Sequence, residues 1–175
     1  MEEFIVKKAS KVKFLLLDVD GVLTDGRIIY DSKGRDSKFF DVHDGLGAYC
    51  LNRLGIKVIL VSAKASRTIL HRAKDMQATE VFAGTVPKTK VLDKVLKKYD
   101  VCAEEICFVG DDLVDLGVMK KVGFPVAVAN ACQEIKDVAV FVTSKKGGRG
   151  AVREIAELIL KSQGKWEEIL KIYDK

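Results

Sequence analysis

Short apolar runs recur along this chain, separated by segments with helical spacing. Phe14-Leu15-Leu16-Leu17, Val58-Ile59-Leu60-Val61, Glu80-Val81-Phe82, Ile106-Cys107-Phe108-Val109, Val126-Ala127-Val128 and Val138-Ala139-Val140 are too short for helices and read as strands. Between two of them, Val91, Leu92, Val95 and Leu96 give residues 88–99 one apolar helical side, and residues 45–54 and 151–161 read as further helices. Strand and helix alternate. That alternation predicts an α/β fold: a central parallel sheet with right-handed crossovers and helices on both faces.

The first run stops abruptly at Asp18-Val19-Asp20-Gly21. Four successive apolar residues suit a strand buried on both faces, and such a strand does not tolerate two ionised carboxylates in its middle. Both acids therefore belong where the strand ends. In an open α/β sheet the carboxyl ends of the strands open onto the ligand crevice, so this loop is a place to build chemistry. One segment interrupts the alternation. Arg27-Ile28-Ile29-Tyr30 and Asp36-Ser37-Lys38-Phe39-Phe40 flank Asp31-Ser32-Lys33-Gly34 and predict a β-hairpin inserted at about residues 27–40. It is too small to be a cap domain, so the site beside it is open unless a large substrate or another chain fills it.

Composition narrows the classes. At 175 residues, with 48% hydrophobic and 31% charged content, the chain fits one soluble domain over residues 1–175, with a C-terminal tail at about 145–175. The net charge of +5 is spread over many lysines and suits an anionic small molecule; no basic cluster interleaved with aromatics points to nucleic acid. The four cysteines show no Cys-x-x-Cys spacing and read as reduced, buried thiols of a cytoplasmic protein. The first residues lack the long apolar stretch of a secretory signal, and no run approaches the roughly 18 apolar residues of a membrane span, so no membrane partner is expected.

Further polar groups fall at predicted strand ends. Ser62 follows the second run, Lys88 follows the third, and Gly110-Asp111-Asp112 with Asp115 follows the fourth. Singly each has a plain structural reading: Ser62 and Asp111 or Asp112 as helix N-caps, Lys88 as a surface lysine. Together they are chemically coherent. Carboxylates converging at one point repel unless a cation sits between them, and a hard, oxygen-rich site favours Mg²⁺. A lysine and a hydroxyl facing the same point suit an oxyanion, most simply phosphate. An Asp nucleophile, a metal and a phosphate clamp describe phosphoryl transfer through an aspartyl-phosphate.

Asp18-Val19-Asp20-Gly21-Val22, Ser62, Lys88 and Gly110-Asp111-Asp112-Leu113-Val114-Asp115 resemble, in order and spacing, the four motifs of the haloacid dehalogenase-like hydrolase superfamily. Residues 18–26, 41–47, 110–115, 126–129 and 147–154 narrow the resemblance to the cap-less 3-deoxy-D-manno-octulosonate 8-phosphate phosphatase family, over roughly residues 13–166. The resemblance implies a Rossmann-like three-layer sandwich and Mg²⁺-dependent hydrolysis of that sugar phosphate in lipopolysaccharide synthesis. It implies that Asp18 attacks phosphorus and binds the metal. Asp20 would protonate the leaving oxygen and later activate water, its backbone carbonyl meeting the metal, and Asp111 would be the second carboxylate ligand. Ser62 and Lys88 would hold the phosphate, while Asp112 and Asp115 would hold the metal's water shell or orient neighbours.

On the sugar side, the resemblance implies that Asp20, Asp41, Val42, His43, Asp44, Gly45, Lys64, Arg72 and Lys88 meet the substrate. Here the chain departs from its relatives, many of which have Asn-Val-Arg-Asp-Gly at 41–45, Gly-Arg at 63–64 and Arg at 49. Arginine grips carboxylate and phosphate bidentately and lysine does not, so the departures bear on which sugar is bound. The tail, with Gly147-Gly148-Arg149-Gly150, is implied to reach a neighbouring active site in a homotetramer, with Ile28, Ile29, Phe39 and Phe40 packed against partner subunits. Alternatives are an N-acylneuraminate 9-phosphate phosphatase or broader sugar-phosphate phosphatase, a polynucleotide phosphatase, and a non-catalytic phosphatase-like binding module.

Overall fold

The computed structural model describes residues 3–174. The chain runs through α1 (Glu3–Ala9), β1 (Phe14–Leu17), a hairpin of β2 (Ile29–Tyr30) and β3 (Asp36–Ser37), α2 (Val42–Arg53), β4 (Lys57–Ser62), α3 (Arg67–Asp75), β5 (Glu80–Ala83) and α4 (Thr89–Tyr99). It continues through β6 (Ile106–Gly110), α5 (Leu116–Met119), β7 (Phe124–Ala127), α6 (Gln133–Val138), β8 (Phe141–Val142), α7 (Ala151–Ser162) and α8 (Trp166–Tyr173). Six strands form one parallel sheet in the order β5-β4-β1-β6-β7-β8. Helices α1, α2, α7 and α8 pack together, as do α4, α5 and α6, giving the expected layers.

Strand β1 lies at the centre because nothing in it needs water. Leu15, Leu16 and Leu17 are fully buried, and each contributes roughly 1.5–3 kcal/mol of transfer free energy. Leu17 stands level with Leu60 of β4 and Val109 of β6. The residues that follow these three therefore emerge at one sheet edge. Strand order also reverses here, since β4 lies on one side of β1 and β6 on the other, which makes this edge a topological switch point.

Several boundaries differ from the sequence expectation. Helix α2 begins at Val42 rather than at residue 45, because the Asp41 side chain accepts from the His43 amide (2.7 Å) and caps it. Its inner face mixes glycine with the buried Ala48, Cys50 and Leu51: a Cβ on Gly47 would lie 3.0 Å from the Arg153 Cα, so α7 packs directly against the α2 backbone there. After Asp112 the chain forms a 3₁₀ turn at Leu113–Asp115 followed by the single turn of α5. The last strand is Phe141–Val142, not 138–140, because Val138 still belongs to α6.

The hairpin is shorter than expected, with two residues in each strand. Its turn is tied by the Asp31 carboxylate, which accepts from the amides of Lys33 and Arg35 (both 2.9 Å) and from Arg35 Nε (2.6 Å). Ile29 and Phe39 are exposed as expected, together with Tyr30, whereas Ile28 and Phe40 are half-buried. Cys50 and Cys107 are buried, but Cys102 is exposed and Cys132 half-buried. Among the described residues, no helix is long and apolar enough to cross a membrane.

Candidate active site

Asp18 continues the β1 ladder, its amide donating to the Val109 carbonyl (3.1 Å), and its carboxylate points into the switch-point crevice almost out of solvent. The chain then turns tightly. Leu23 and Thr24 donate to the Val19 carbonyl (3.0 and 3.1 Å), and the buried Thr24 hydroxyl accepts from the amides of Gly21 and Gly26 (both 3.2 Å). Gly21 has φ +105°, and a Cβ there would fall 2.0 Å from Asp111 Oδ2. Only glycine lets the first and fourth motifs come this close.

Lys88, immediately before α4, is buried and spans the site. Its ammonium donates to Asp18 Oδ1 and to Asp115 Oδ1 (2.6 Å), while Asp115 Oδ2 accepts from the Asp111 amide (3.0 Å). Asp115 is therefore a hub that fixes both the lysine and the Asp111 loop. Ser62 ends β4, buried, with Oγ accepting from the Lys64 amide (3.0 Å). It is not a helix cap; Ser66 caps α3, accepting from the Thr68 amide (3.1 Å).

Oxygens of Asp18, Asp111 and Asp115 all lie within 4.8 Å of one another. Three carboxylates around one ammonium leave an excess of negative charge in a site with little water. Burial, then the proximity of Asp115, pushes the Asp18 carboxyl up to about 6 against the pull of Lys88. Asp111 is pushed up to about 8 by burial and by Asp18 and Asp115. For Lys88, burial would lower the ammonium's pKa, but Asp18 and Asp115 outweigh it and raise it. Two carboxyls that resist ionising side by side mark a place for a divalent cation. The donor set is hard oxygen, as Mg²⁺ prefers. Asp115 has both oxygens engaged, so Asp18 and Asp111 are the carboxylates that could bind an ion.

Residues 72–155 match the model of the haloacid dehalogenase-like hydrolase family. The 3-deoxy-D-manno-octulosonate 8-phosphate phosphatase KdsC of Escherichia coli (strain K12) is 38% identical over 164 residues, 94% of this chain and 87% of that protein. The chain belongs to this phosphatase family. A crystal structure of the Moraxella catarrhalis 3-deoxy-D-manno-octulosonate 8-phosphate phosphatase, in complex with magnesium ion, phosphate ion and KDO, superposes with a TM-score of 0.96 at 36% identity, covering 99% of each chain. The cobalt-bound Haemophilus influenzae deoxy-D-mannose-octulosonate 8-phosphate phosphatase superposes with a TM-score of 0.86 at 38% identity, over 90% of this chain and 92% of that one.

Within the family's fold, the sugar-side candidates do not form one cluster. Asp41, Val42 and His43 line a cleft of about 500 Å³ with Phe39, Phe40 and Arg149, to one side of the Asp18–Lys88 centre. Lys64 instead donates to the Tyr30 hydroxyl (2.7 Å), with Asp20 and Asp36 near enough to help raise its ammonium. Arg72 is half-buried: its guanidinium lies over the Phe40 ring, donates to the Asp41 carbonyl and packs where a Gly45 Cβ would sit. It braces the 40–45 loop, and Gly45 makes room for it.

One expectation needs correction. Asp44, expected among the substrate contacts, is fully buried and faces away, accepting from the amides of Arg153 (3.0 Å) and Gly150 (3.2 Å) at the start of α7. It caps that helix. The glycine-rich stretch folds back on its own chain. The Gly148 amide donates to the Val22 carbonyl (2.8 Å), the Gly147 amide donates to Asn130 Oδ1 (2.8 Å), and a Gly147 Cβ would sit 1.7 Å from the Gly21 carbonyl oxygen. These glycines press the tail onto the loop after Asp18, and α7 then enters the core through Val152, Ile155 and Ile159.

Sequence reasoning missed Lys38. Its ammonium is paired with Asp20 and lies 3.6 Å from Asp36, and its side chain is fully buried although the residues around it are largely exposed. The signal was present in the strand alternation: Asp36 and Lys38 point inward from the hairpin while Ser37 points out.

Proposed function

We propose that this protein is a Mg²⁺-dependent phosphatase that hydrolyses 3-deoxy-D-manno-octulosonate 8-phosphate to the free sugar acid and phosphate, a step in lipopolysaccharide synthesis. The observation that carries the reading is the Lys88 bridge: one buried ammonium holds Asp18 in place while Asp115 holds both Lys88 and the Asp111 loop. A nucleophile, a phosphate-facing cation and a metal-binding carboxylate are thereby fixed at one sheet edge.

The chemistry follows from these groups. An Asp18 oxygen attacks phosphorus and the ester bond to the sugar oxygen breaks, that oxygen taking a proton from Asp20. The product is an aspartyl-phosphate on Asp18. Asp20 then takes a proton from water as the water attacks phosphorus, releasing phosphate and restoring both acids. Lys88 and the Ser62 hydroxyl hold the phosphoryl oxygens, and Lys88 also offsets the carboxylates around them. Bound by Asp18, Asp111 and the Asp20 carbonyl, Mg²⁺ supplies charge neutralisation for the phosphoryl group.

Asp41, His43 and Lys64 serve the sugar acid at the rim. The protein works in the cytoplasm as a homotetramer, in which neighbouring copies cover the exposed Ile29, Tyr30 and Phe39 and supply the cap that a hairpin with two residues in each strand does not. A phosphate-release panel with Mg²⁺ tests the reading. It should give the highest kcat/KM on the eight-carbon sugar acid phosphate; a clear preference for the nine-carbon N-acylneuraminate 9-phosphate would replace the substrate, and no release from any monoester would remove the function.

A further inference from the structure

Lys38 stands apart from the other hairpin residues. Arg27, Ile29, Tyr30, Lys33, Arg35, Ser37 and Phe39 are exposed, yet the Lys38 side chain is withdrawn from solvent entirely. Burying an ammonium is costly unless it is paired and hydrogen-bonded, and here the partner is Asp20, with Asp36 at 3.6 Å. The pairing continues outward. Both Asp36 carboxylate oxygens accept from the Ser66 hydroxyl (2.9 and 2.8 Å), and the Asp36 carbonyl accepts from Thr68 Oγ1 (3.3 Å). A contiguous set of polar contacts thus runs from the Asp20 carboxylate through Lys38 and Asp36 to the capped start of α3.

A hairpin with two residues in each strand has too little ladder to hold its own position, so these contacts are what fix it over the site. The same contacts fix Asp20. Unlike Asp18, whose carboxylate is locked by Lys88 inside the crevice, Asp20 sits on the irregular loop after β1 with its side chain 23% exposed. Among the described residues, Lys38 is the cation that holds it.

We propose that Lys38 is a positioning residue for the proton-transfer step: it holds the Asp20 carboxyl in line with the leaving oxygen, and Asp36 and Ser66 hold Lys38. The inference rests on the phosphatase reading above. It makes the hairpin part of the acid–base apparatus. Positioned proton transfer is worth about 10²–10⁴ in rate, so a misplaced acid should be felt where the leaving group needs a proton and little where it does not. A sugar hydroxyl is a poor leaving group that needs one. p-Nitrophenolate is a stable anion that leaves without one.

The experiment compares Lys38→Met, which keeps the apolar stem, and Lys38→Arg with the unaltered protein at saturating Mg²⁺. Each is assayed on the sugar acid phosphate and on p-nitrophenyl phosphate, with single-turnover release of p-nitrophenolate. For Lys38→Met, kcat on the sugar phosphate should fall roughly tenfold to a hundredfold with KM changed less than about threefold. Single-turnover release of p-nitrophenolate should change less than about threefold, and Lys38→Arg should recover part of the sugar-phosphate rate.

Equal losses on both esters, a raised KM with unchanged kcat, or no loss would overturn the assignment. If Lys38→Met does not fold, Ser66→Ala carries the test, with a smaller loss confined to the sugar phosphate expected and a loss shared by both esters overturning it. The unaltered protein separates the two readings: no Mg²⁺-dependent release from either ester defeats the function itself, whereas normal release with a leaving-group-independent Lys38→Met defeats only the role of Lys38.

Discussion

The centre and the rim of the crevice are built in opposite ways. At the centre, Asp18, Lys88 and Asp115 are each at least nine-tenths buried, with the Lys88 ammonium tied to both carboxylates and Asp115 tied to the Asp111 amide. At the rim, Val42 is 80% exposed, the His43 side chain 76% exposed, and Lys64 is held by a single contact with Tyr30. A buried network has few alternative arrangements, because each unpaired charge would cost several kcal/mol. An exposed rim can change residue by residue at little cost. Reaction type is therefore fixed at the centre, and substrate choice is left to positions that can vary.

The strongest way to break the comparison is to remove the proposed nucleophile, Asp18, alone. Asp18→Asn should lower phosphate release to about a ten-thousandth or less, since no neighbouring carboxylate is free to replace it. It should not lower the melting temperature, because the substitution removes one of three crowded carboxylates. Steady-state release and a thermal melt on the same sample check both halves. Residual turnover above about one per cent of the unaltered rate would mean that the centre is less committed than its geometry indicates.

What could be read in the sequence divides along the same line. Strand β1 and the acids after it were legible because a run buried on both faces must be apolar throughout and must end where charge begins. Ser62, Lys88 and Asp111 were legible because they follow such runs. Helix α2 was only partly legible, since Gly45 and Gly47 stand beside Ala48, Cys50 and Leu51 on its buried face and a glycine carries no apolar signal where α7 presses close. The role of Asp44 was hidden for a related reason: its partners are the backbone amides of Gly150 and Arg153, more than a hundred residues away, and an amide carries no side-chain signal. Lys38 is one of many lysines until the hairpin turns it inward.

A second prediction sharpens the account of the centre by varying pH and metal together. Asp18 near 6 and Asp111 near 8 both lie above the ordinary carboxyl value of 3.8. A carboxyl raised by folding stabilises the fold while protonated, below its unfolded pKa, and that stability is lost as pH climbs through the folded values. The metal-free protein should therefore weaken as pH rises between about pH 4 and pH 8, seen as a melting temperature lower by several degrees. Mg²⁺ takes the place of the protons, so the increment it gives should grow as pH rises. Thermal melts with Mg²⁺ or chelator across that range measure it, and Asp111→Asn should abolish most of the growth. An increment independent of pH would mean that the ion does not sit between these carboxylates.

The smallest effects belong to the rim. Lys64→Ala and His43→Ala each remove one exposed cationic or polar tip whose recorded partners are Tyr30 and Asp41. Solvent screens such groups, so their contribution to holding a sugar acid is modest, and they do not touch Asp18, Lys88 or Asp115. KM for the sugar phosphate should rise about threefold to tenfold while kcat stays within about twofold, the pattern of lost ground-state binding. The melting temperature should stay unchanged. Of the two, Lys64→Ala should have the larger effect, because Lys64 lies near Asp20 and Asp36 whereas His43 lines the cleft to one side. A hundredfold loss of kcat from either would erase the distinction between centre and rim, since it would place an exposed side chain among the groups that stabilise the transition state.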